Sequence, residues 1–276
     1  MKTSTALRAG SMYVLLVVVV AMMLLPFLWV FAGSFKTQGE FLANPGAWFP
    51  ASFAYLQNYV VLFTERGFGG YLMNSLIVSI AAVAGNLVFS SMAGYALAKL
   101  SFRGRKAVFV AVIGAMTVPY VAIFVPQFLI IVQLKLIDTL AAIIIPVLVM
   151  PIAVFIMRQF ATAVPEELLE AARLEGAGEF RIFFTIFLPI VGPALATVGI
   201  LTFMYSWNYF LWPLLVAQSS STYTLPVGLA VATQTGNTTE FGVLLAGAMV
   251  VLIPVLVVFL FFQRFFIQSV ATTGLK

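Results

Sequence analysis

Residues 12 to 33, MYVLLVVVVAMMLLPFLWVFAG, carry no charged side chain. A helix needs about 20 apolar residues to cross the hydrocarbon core of a bilayer, and this run is long enough. Inside hydrocarbon every backbone N–H and C=O must be satisfied within the chain, so such a run is helical. Comparable runs recur at about 71–98, 107–133, 137–157, 190–217 and 242–262. Only 8% of the residues are charged and 63% are hydrophobic, against about 25% charged in soluble domains. Too few polar groups exist to cover a water-facing surface, so the solvent is largely lipid. The expected fold is an all-α integral membrane protein with six transmembrane helices, one compact membrane domain for 276 residues.

The first run has a rival reading as a cleaved signal peptide, with Val30 and Ala32 as the small cleavage pair. Signal cores are usually only ~7–15 residues, which favours an uncleaved span. Residues 35–70 contain Asn44-Pro45-Gly46 and Pro50, which break any long helix. Trp48, Phe49 and Tyr55 suit an interfacial belt, so this stretch reads as an outer loop with short helices on the membrane. In the second run Ser75, Ser79, Ala82, Asn86, Ser90 and Ala93 share one helical face. That stripe permits close helix packing, the stronger reading, or lines a wet path. Pro26, Pro119, Pro126, Pro146, Pro151, Pro193, Pro213 and Pro254 fall inside five of the six spans. Each removes a backbone donor, which suits either bent helices around a cavity or simple packing kinks.

With six spans both termini and loops two and four share one side. That side holds Lys2, Arg8, Lys99, Arg103, Arg105, Lys106, Arg158, Arg173, Arg181, Arg264 and Lys276; the other holds Lys36, Arg66 and Lys135. The excess of basic residues assigns the first side to the cytoplasm. The net charge of +5 is explained by this topology. Nothing in it makes the basic, aromatic-lined groove that nucleic acid needs. With 0 Cys and 0 His, no disulfide and no Cys or His metal site or catalytic group is available.

Glu166, Glu167, Glu170, Glu175 and Glu179 supply five of the 9 acidic residues within one short stretch, 166–189. Pro165 suits the first turn of a helix, Glu166 and Glu167 favour the positive end of its dipole, and Gly176 suits a left-handed cap. Glu170 and Arg173 are spaced as i, i+3 partners. A second helix is expected from Glu179 to Leu188, breaking at Pro189. The adjacent Ala171 and Ala172 offer a thin face to another protein. The same residues also fit an amphipathic helix resting on the membrane.

Glu170, Ala171 and Ala172, then Gly176, Ile186, Leu188 and Pro189, resemble the complete EAA motif of bacterial ABC-importer permeases, between spans four and five on the cytoplasmic side. The resemblance covers nearly the whole chain. Asn58-Tyr59, Asn74-Ser75, Gly94-Tyr95-Ala96, Trp207-Asn208, the run from Tyr223 to Leu229, Gln263-Arg264 and Gly274-Leu275-Lys276 resemble carbohydrate-uptake permeases, in particular the MalG-like six-span partner. Many relatives continue one glycine further, so the resemblance assigns no contact to the final tail.

The resemblance implies an ABC importer type I permease fold: residues 1–70 as first span and outer loop, 71–266 as permease core with the coupling segment 165–189, and 267–276 as a cytoplasmic tail. It implies a bacterial plasma (inner) membrane location. It also implies a second permease subunit, two copies of an ATP-binding subunit, an extracytoplasmic solute-binding protein and a sugar substrate. Glu170 becomes the anchor charge, Ala171 and Ala172 the contact face, and Gly176 the turn. By the same resemblance the 219–241 loop is expected to reach the binding protein. The resemblance implies too that this chain binds no cofactor and is not an enzyme, ATP and Mg being used by the partner ATPase.

The residues agree independently on energy coupling. No Asp, Glu or His lies in the interior of any span, as an ion-coupled carrier requires, and no P-loop is present. Such a carrier is the alternative function, and an intramembrane enzyme lacks a catalytic constellation. Tyr205, Trp207, Asn208, Tyr209 and Trp212 are candidates for a sugar path of aromatic faces and amide hydrogen bonds. They equally fit an aromatic belt with one interhelical asparagine.

Overall fold

The computed structural model describes residues 2–232, 234–235 and 238–273, with side chains over 12–231 and 239–262. The side chains of Lys2, Arg8, Gln263 and Arg264, those of residues 232–238, and the whole of residues 233, 236, 237 and 274–276 therefore lie outside the described residues. In chain order the elements are α1 (Lys2–Gly33), α2 (Gln38–Ala43), α3 (Gln57–Thr64), α4 (Phe68–Lys99), α5 (Arg105–Thr117), α6 (Tyr120–Gln133), α7 (Leu140–Ala163) and α8 (Glu166–Leu174). They continue as α9 (Glu179–Ile190), α10 (Gly192–Trp207), α11 (Leu211–Val216), α12 (Leu225–Ala232), the antiparallel pair β1 (Gln234–Thr235) and β2 (Thr238–Thr239), and α13 (Phe241–Thr273).

Four stretches are long and apolar enough to cross a membrane: Met12–Gly33 of α1, all of α4, all of α7, and Phe241–Phe262 of α13. Two bent pairs complete the six spans, α5 with α6 at 103° and α9 with α10 at 83°. The first bend falls at Val118 and Pro119, where proline denies the helix a donor. The second corrects the expected break at Pro189. Residues Phe183–Phe187 form a π-helical turn, and Pro189 sits in the short turn Leu188–Ile190 that follows. The widened turn accommodates the missing N–H, so the chain bends only at Val191, and Pro193 occupies the first turn of α10.

The chain packs as two compact units, residues 1–69 with 228–254, and residues 70–227 with 255–276. In the first unit Thr37 and Glu40 form a reciprocal capping box at α2, and Glu40 also accepts from Ala51 N–H at 2.6 Å. Asn58 donates to the carbonyls of Ser34 and Lys36, each at 2.8 Å. Lys36 is buried; its ammonium donates to the Ala47 carbonyl and lies 5.4 Å from the centre of the Phe41 ring. Arg66 pairs with Glu240 at 2.8 Å.

The second unit has two apolar cores. One gathers Tyr95, Met157, Leu169, Ala172, Ile182 and Phe187 where α4, α7, α8 and α9 meet. The other gathers Val78, Ile143, Tyr209 and Trp212. Helices α4 and α7 approach closely because Gly94 has no side chain: a Cβ there would lie 2.6 Å from the Met157 Cβ and 2.7 Å from the Arg158 nitrogen. The small stripe on α4 is packing surface, since Ser75, Ser79, Ala82, Asn86 and Ser90 are all buried and Ala93 is half-buried. Asn86 does the most there. It donates to the Val147 carbonyl at 2.7 Å and accepts from Met150 N–H at 2.8 Å, satisfying α7 where Pro146 and Pro151 interrupt it.

Candidate functional site

Helix α8 begins directly after Pro165 and keeps Glu166 and Glu167 in its first turn. It ends as expected at Gly176, whose φ of +83° is left-handed. Gly176 N–H donates to Arg173 C=O at 3.0 Å and Ala177 N–H to Ala172 C=O at 3.0 Å, the paired bonds of a Schellman turn.

Two expectations on α8 are corrected. Arg173 does not pair with Glu170; it reaches Glu166 at 3.1 Å and Glu179 at 2.8 Å, both carboxylates lying on its inner side. Glu170 is left exposed, pointing away from the chain. Ala171 and Ala172 also do not share a face. Ala172 is buried in the core with Leu169, while Ala171 is exposed, as adjacent positions 100° apart on a narrow helix must be. The outward stripe is Glu167, Glu170, Ala171 and Leu174, and Leu174 is 89% exposed. Ile186 and Leu188 pack from α9 against the same core, whereas Pro189 is exposed.

How α8 is held is visible only in the structure. Lys99, at the end of α4, donates to the Val164 carbonyl at 2.6 Å and to Glu166 at 3.0 Å. Tyr95 O–H donates to Glu179 at 2.7 Å. The hydrogen bond from Lys99 is the chief reason the Glu166 carboxyl is held below its usual range, with Arg173 adding to it against the opposing effect of burial. Hydrogen bonds to Glu179 and then Glu166 hold the Arg173 proton more tightly still.

The candidate sugar path divides. Trp207 is fully buried and stacks on Phe203 with ring centres 5.5 Å apart. Trp212 is fully buried too, its indole N–H donating to the Ala142 carbonyl at 2.9 Å. Both are therefore core residues, because a large ring at these positions fills helix packing. Tyr205, Asn208 and Tyr209 instead line a recess of about 330 Å³ together with Tyr120 and Phe124 from the bend of the third span. Tyr120 and Tyr209 hydroxyls are hydrogen-bonded, and Gln127 donates to Tyr120 at 3.3 Å. Tyr120 is not among the candidates from sequence; its signal there is a hydroxyl-bearing aromatic immediately after Pro119 in a span whose other aromatics are Phe109, Phe124 and Phe128.

A third cluster joins the segment before α12 to α4. Asp138, at φ +58°, accepts from Gln218 N–H at 2.8 Å, Ser219 N–H at 3.0 Å and the Thr222 hydroxyl. These bonds, led by Thr222, push its carboxyl far below the ordinary range. Asn74 donates to the carbonyls of Ser221 at 2.8 Å and Tyr223 at 2.9 Å, and Ser75 accepts from Leu225 N–H at 2.7 Å. The Asn74-Ser75 pair and the run from Tyr223 to Leu229, separate in the sequence, thus meet.

Residues 86–272 match the family described as binding-protein-dependent transport system inner membrane component. The chain belongs to this family. The permease is similar to the arabinooligosaccharides transport system permease protein AraQ of Halalkalibacterium halodurans, at 41% identity over 91% of this chain and 90% of that protein. It is 31% identical to the diacetylchitobiose uptake system permease protein NgcG of Streptomyces coelicolor, over 95% of this chain and 87% of that one. An sn-glycerol-3-phosphate transport system permease protein UgpE of Yersinia pestis is 33% identical over 73% of the permease and 72% of its own length. Among solved structures, a bacterial ABC transporter involved in the import of the acidic polysaccharide alginate matches with a TM-score of 0.83 at 22% identity, over 95% of this chain and 98% of that one. The permease therefore has the ABC importer permease fold and is a multi-pass inner-membrane protein.

Proposed function

We propose that the permease forms half of the transmembrane path of an ABC importer for a neutral saccharide. A second permease subunit completes the path, and each permease docks one ATP-binding subunit. An extracytoplasmic binding protein delivers the sugar. ATP and Mg are bound and used by the ATP-binding subunits, whose closure on ATP draws the two coupling helices together and opens the path outward. Both termini and α8 are cytoplasmic, a reading supported by the basic residues on their side of the chain. The 219–241 loop faces the binding protein.

The observation that carries this reading is the outer face of α8. Leu174 stands 89% exposed beside Ala171, with Glu167 and Glu170 around them. An apolar centre with a charged rim is the composition of a protein interface. Sugar as cargo is supported by the relatives and by the recess at Tyr120, Tyr205 and Tyr209. Its size suits a small ligand, and none of its lining residues is charged, which favours a neutral saccharide over a phosphate or an acid.

The test is purification from native membranes. The wild-type permease is expected to bring an ATPase and a second permease with it. Glu170→Lys with Leu174→Asp is expected to keep the second permease and lose the ATPase. A wild-type chain that purifies alone and moves solute under an ion gradient would sink the proposal in favour of a secondary carrier.

A further inference from the structure

We propose that Lys99 and Tyr95 are positioning residues that make the end of α4 move as one body with α8, so that force applied to α8 reaches the second span directly. This rests on the reading of α8 as the ATPase-docking helix.

Tyr95 and Lys99 lie four residues apart, hence on one face of α4. From Lys99 the bonds run to Glu166 at 3.0 Å, on to Arg173 at 3.1 Å, on to Glu179 at 2.8 Å, and back to Tyr95 at 2.7 Å. The circuit leaves α4, passes through the first and last turns of α8 and the first turn of α9, and returns to α4. Two cations face two carboxylates, and all four carboxylate oxygens are used. Each of these bonds involves a charged group and is directional, unlike the packing of Leu169 and Ala172 beneath.

The natural hinge for α8 is its junction with α7 at Val164 and Pro165. Lys99 occupies it, donating to the Val164 carbonyl at 2.6 Å. The Lys99 side chain is only 6% exposed while its partner Glu166 is 42% exposed, so it is the buried cation that holds the geometry of this pair. Behind the circuit, Gly94 brings the α4 backbone against Met157 and Arg158 of α7. The ends of α4 and α7 thus form one block with α8. A push on Leu174 is carried into this block through the bridged α7 junction. None of these groups lies on the outward stripe, so the circuit transmits rather than docks.

The test uses the whole importer in proteoliposomes with Lys99→Gln, Tyr95→Phe and, as conservative control, Lys99→Arg. Recovered ATPase per permease, ATP hydrolysis, and solute moved per ATP are measured. For Lys99→Gln and Tyr95→Phe the ATPase is expected to remain bound and active while solute per ATP falls about 5-fold or more. Lys99→Arg is expected to restore most of it. Tyr95→Phe removes a single hydroxyl and keeps the experiment decisive if Lys99→Gln does not fold. Unchanged solute per ATP in the assembled variants overturns the inference. So does loss of ATPase from them, which would make the circuit part of the docking surface. A wild-type complex lacking ATPase would remove the docking reading itself, and this inference with it.

Discussion

Asn86 shows how one side chain replaces backbone bonds that proline removes. It sits in the π-helical turn of α4, fully buried, and its amide serves both Val147 C=O and Met150 N–H while its oxygen also accepts from Ser90 at 3.0 Å. Truncation strands two backbone groups and one hydroxyl in an apolar interior. Asn86→Ala is therefore expected to lower stability by ~1–3 kcal/mol, read as a lower thermal unfolding temperature of the purified protein in detergent. Leucine at 86 is expected to be no better, because it fills space without supplying a donor. Gly94 is the opposite case, a residue whose contribution is the atom it lacks.

At the scale of the element, α8 is a nine-residue helix whose inner and outer faces do different work. The inner face is fixed by Lys99 and Arg173 to Glu166 and Glu179, and the outer face is left free. The Glu166 carboxyl titrates below its ordinary value of 4.5 because its charged form is hydrogen-bonded. A depressed carboxylate contributes stability above the unfolded value and loses it as pH falls through the folded one. The attachment of α8 is thus expected to be complete at neutral pH and to loosen only in acid, below 4.5. The chain has 0 cysteines, so a spin label on Glu170→Cys reports this site alone. Its mobility is expected to rise in acid. Adding Glu166→Gln is expected to raise mobility already at neutral pH and flatten the profile.

At the scale of the molecule, the recess and the core compete for the same aromatic residues. Tyr205 borders the recess and Trp207, two residues on, is sealed in the protein. Tyr205→Ala is expected to weaken uptake of a neutral saccharide roughly 3–10-fold with the fold intact, from the loss of one aromatic contact. Trp207→Ala is expected to lower thermal stability instead, so uptake per folded transporter and unfolding temperature together separate the two roles. The number of spans, the helical class, α8 and its glycine turn were legible in the sequence because they depend on local properties: run length, proline position and a left-handed glycine. The face each residue presents was less legible. Ala171 and Ala172 read as one surface and Trp207 and Tyr205 as one path, since sequence spacing does not say which side of a helix meets a neighbour. The Lys99–Glu166–Arg173–Glu179–Tyr95 circuit was not legible at all, because its members come from 95 to 179 in the chain and nothing local ties them together. A six-span permease with a short polar helix between its fourth and fifth spans follows from the order of residues alone, through the free energy of putting apolar chain in lipid. Which charges hold that helix and which residues it offers outward emerge from packing in three dimensions, because ion pairing and burial depend on distances between elements that no stretch of sequence contains.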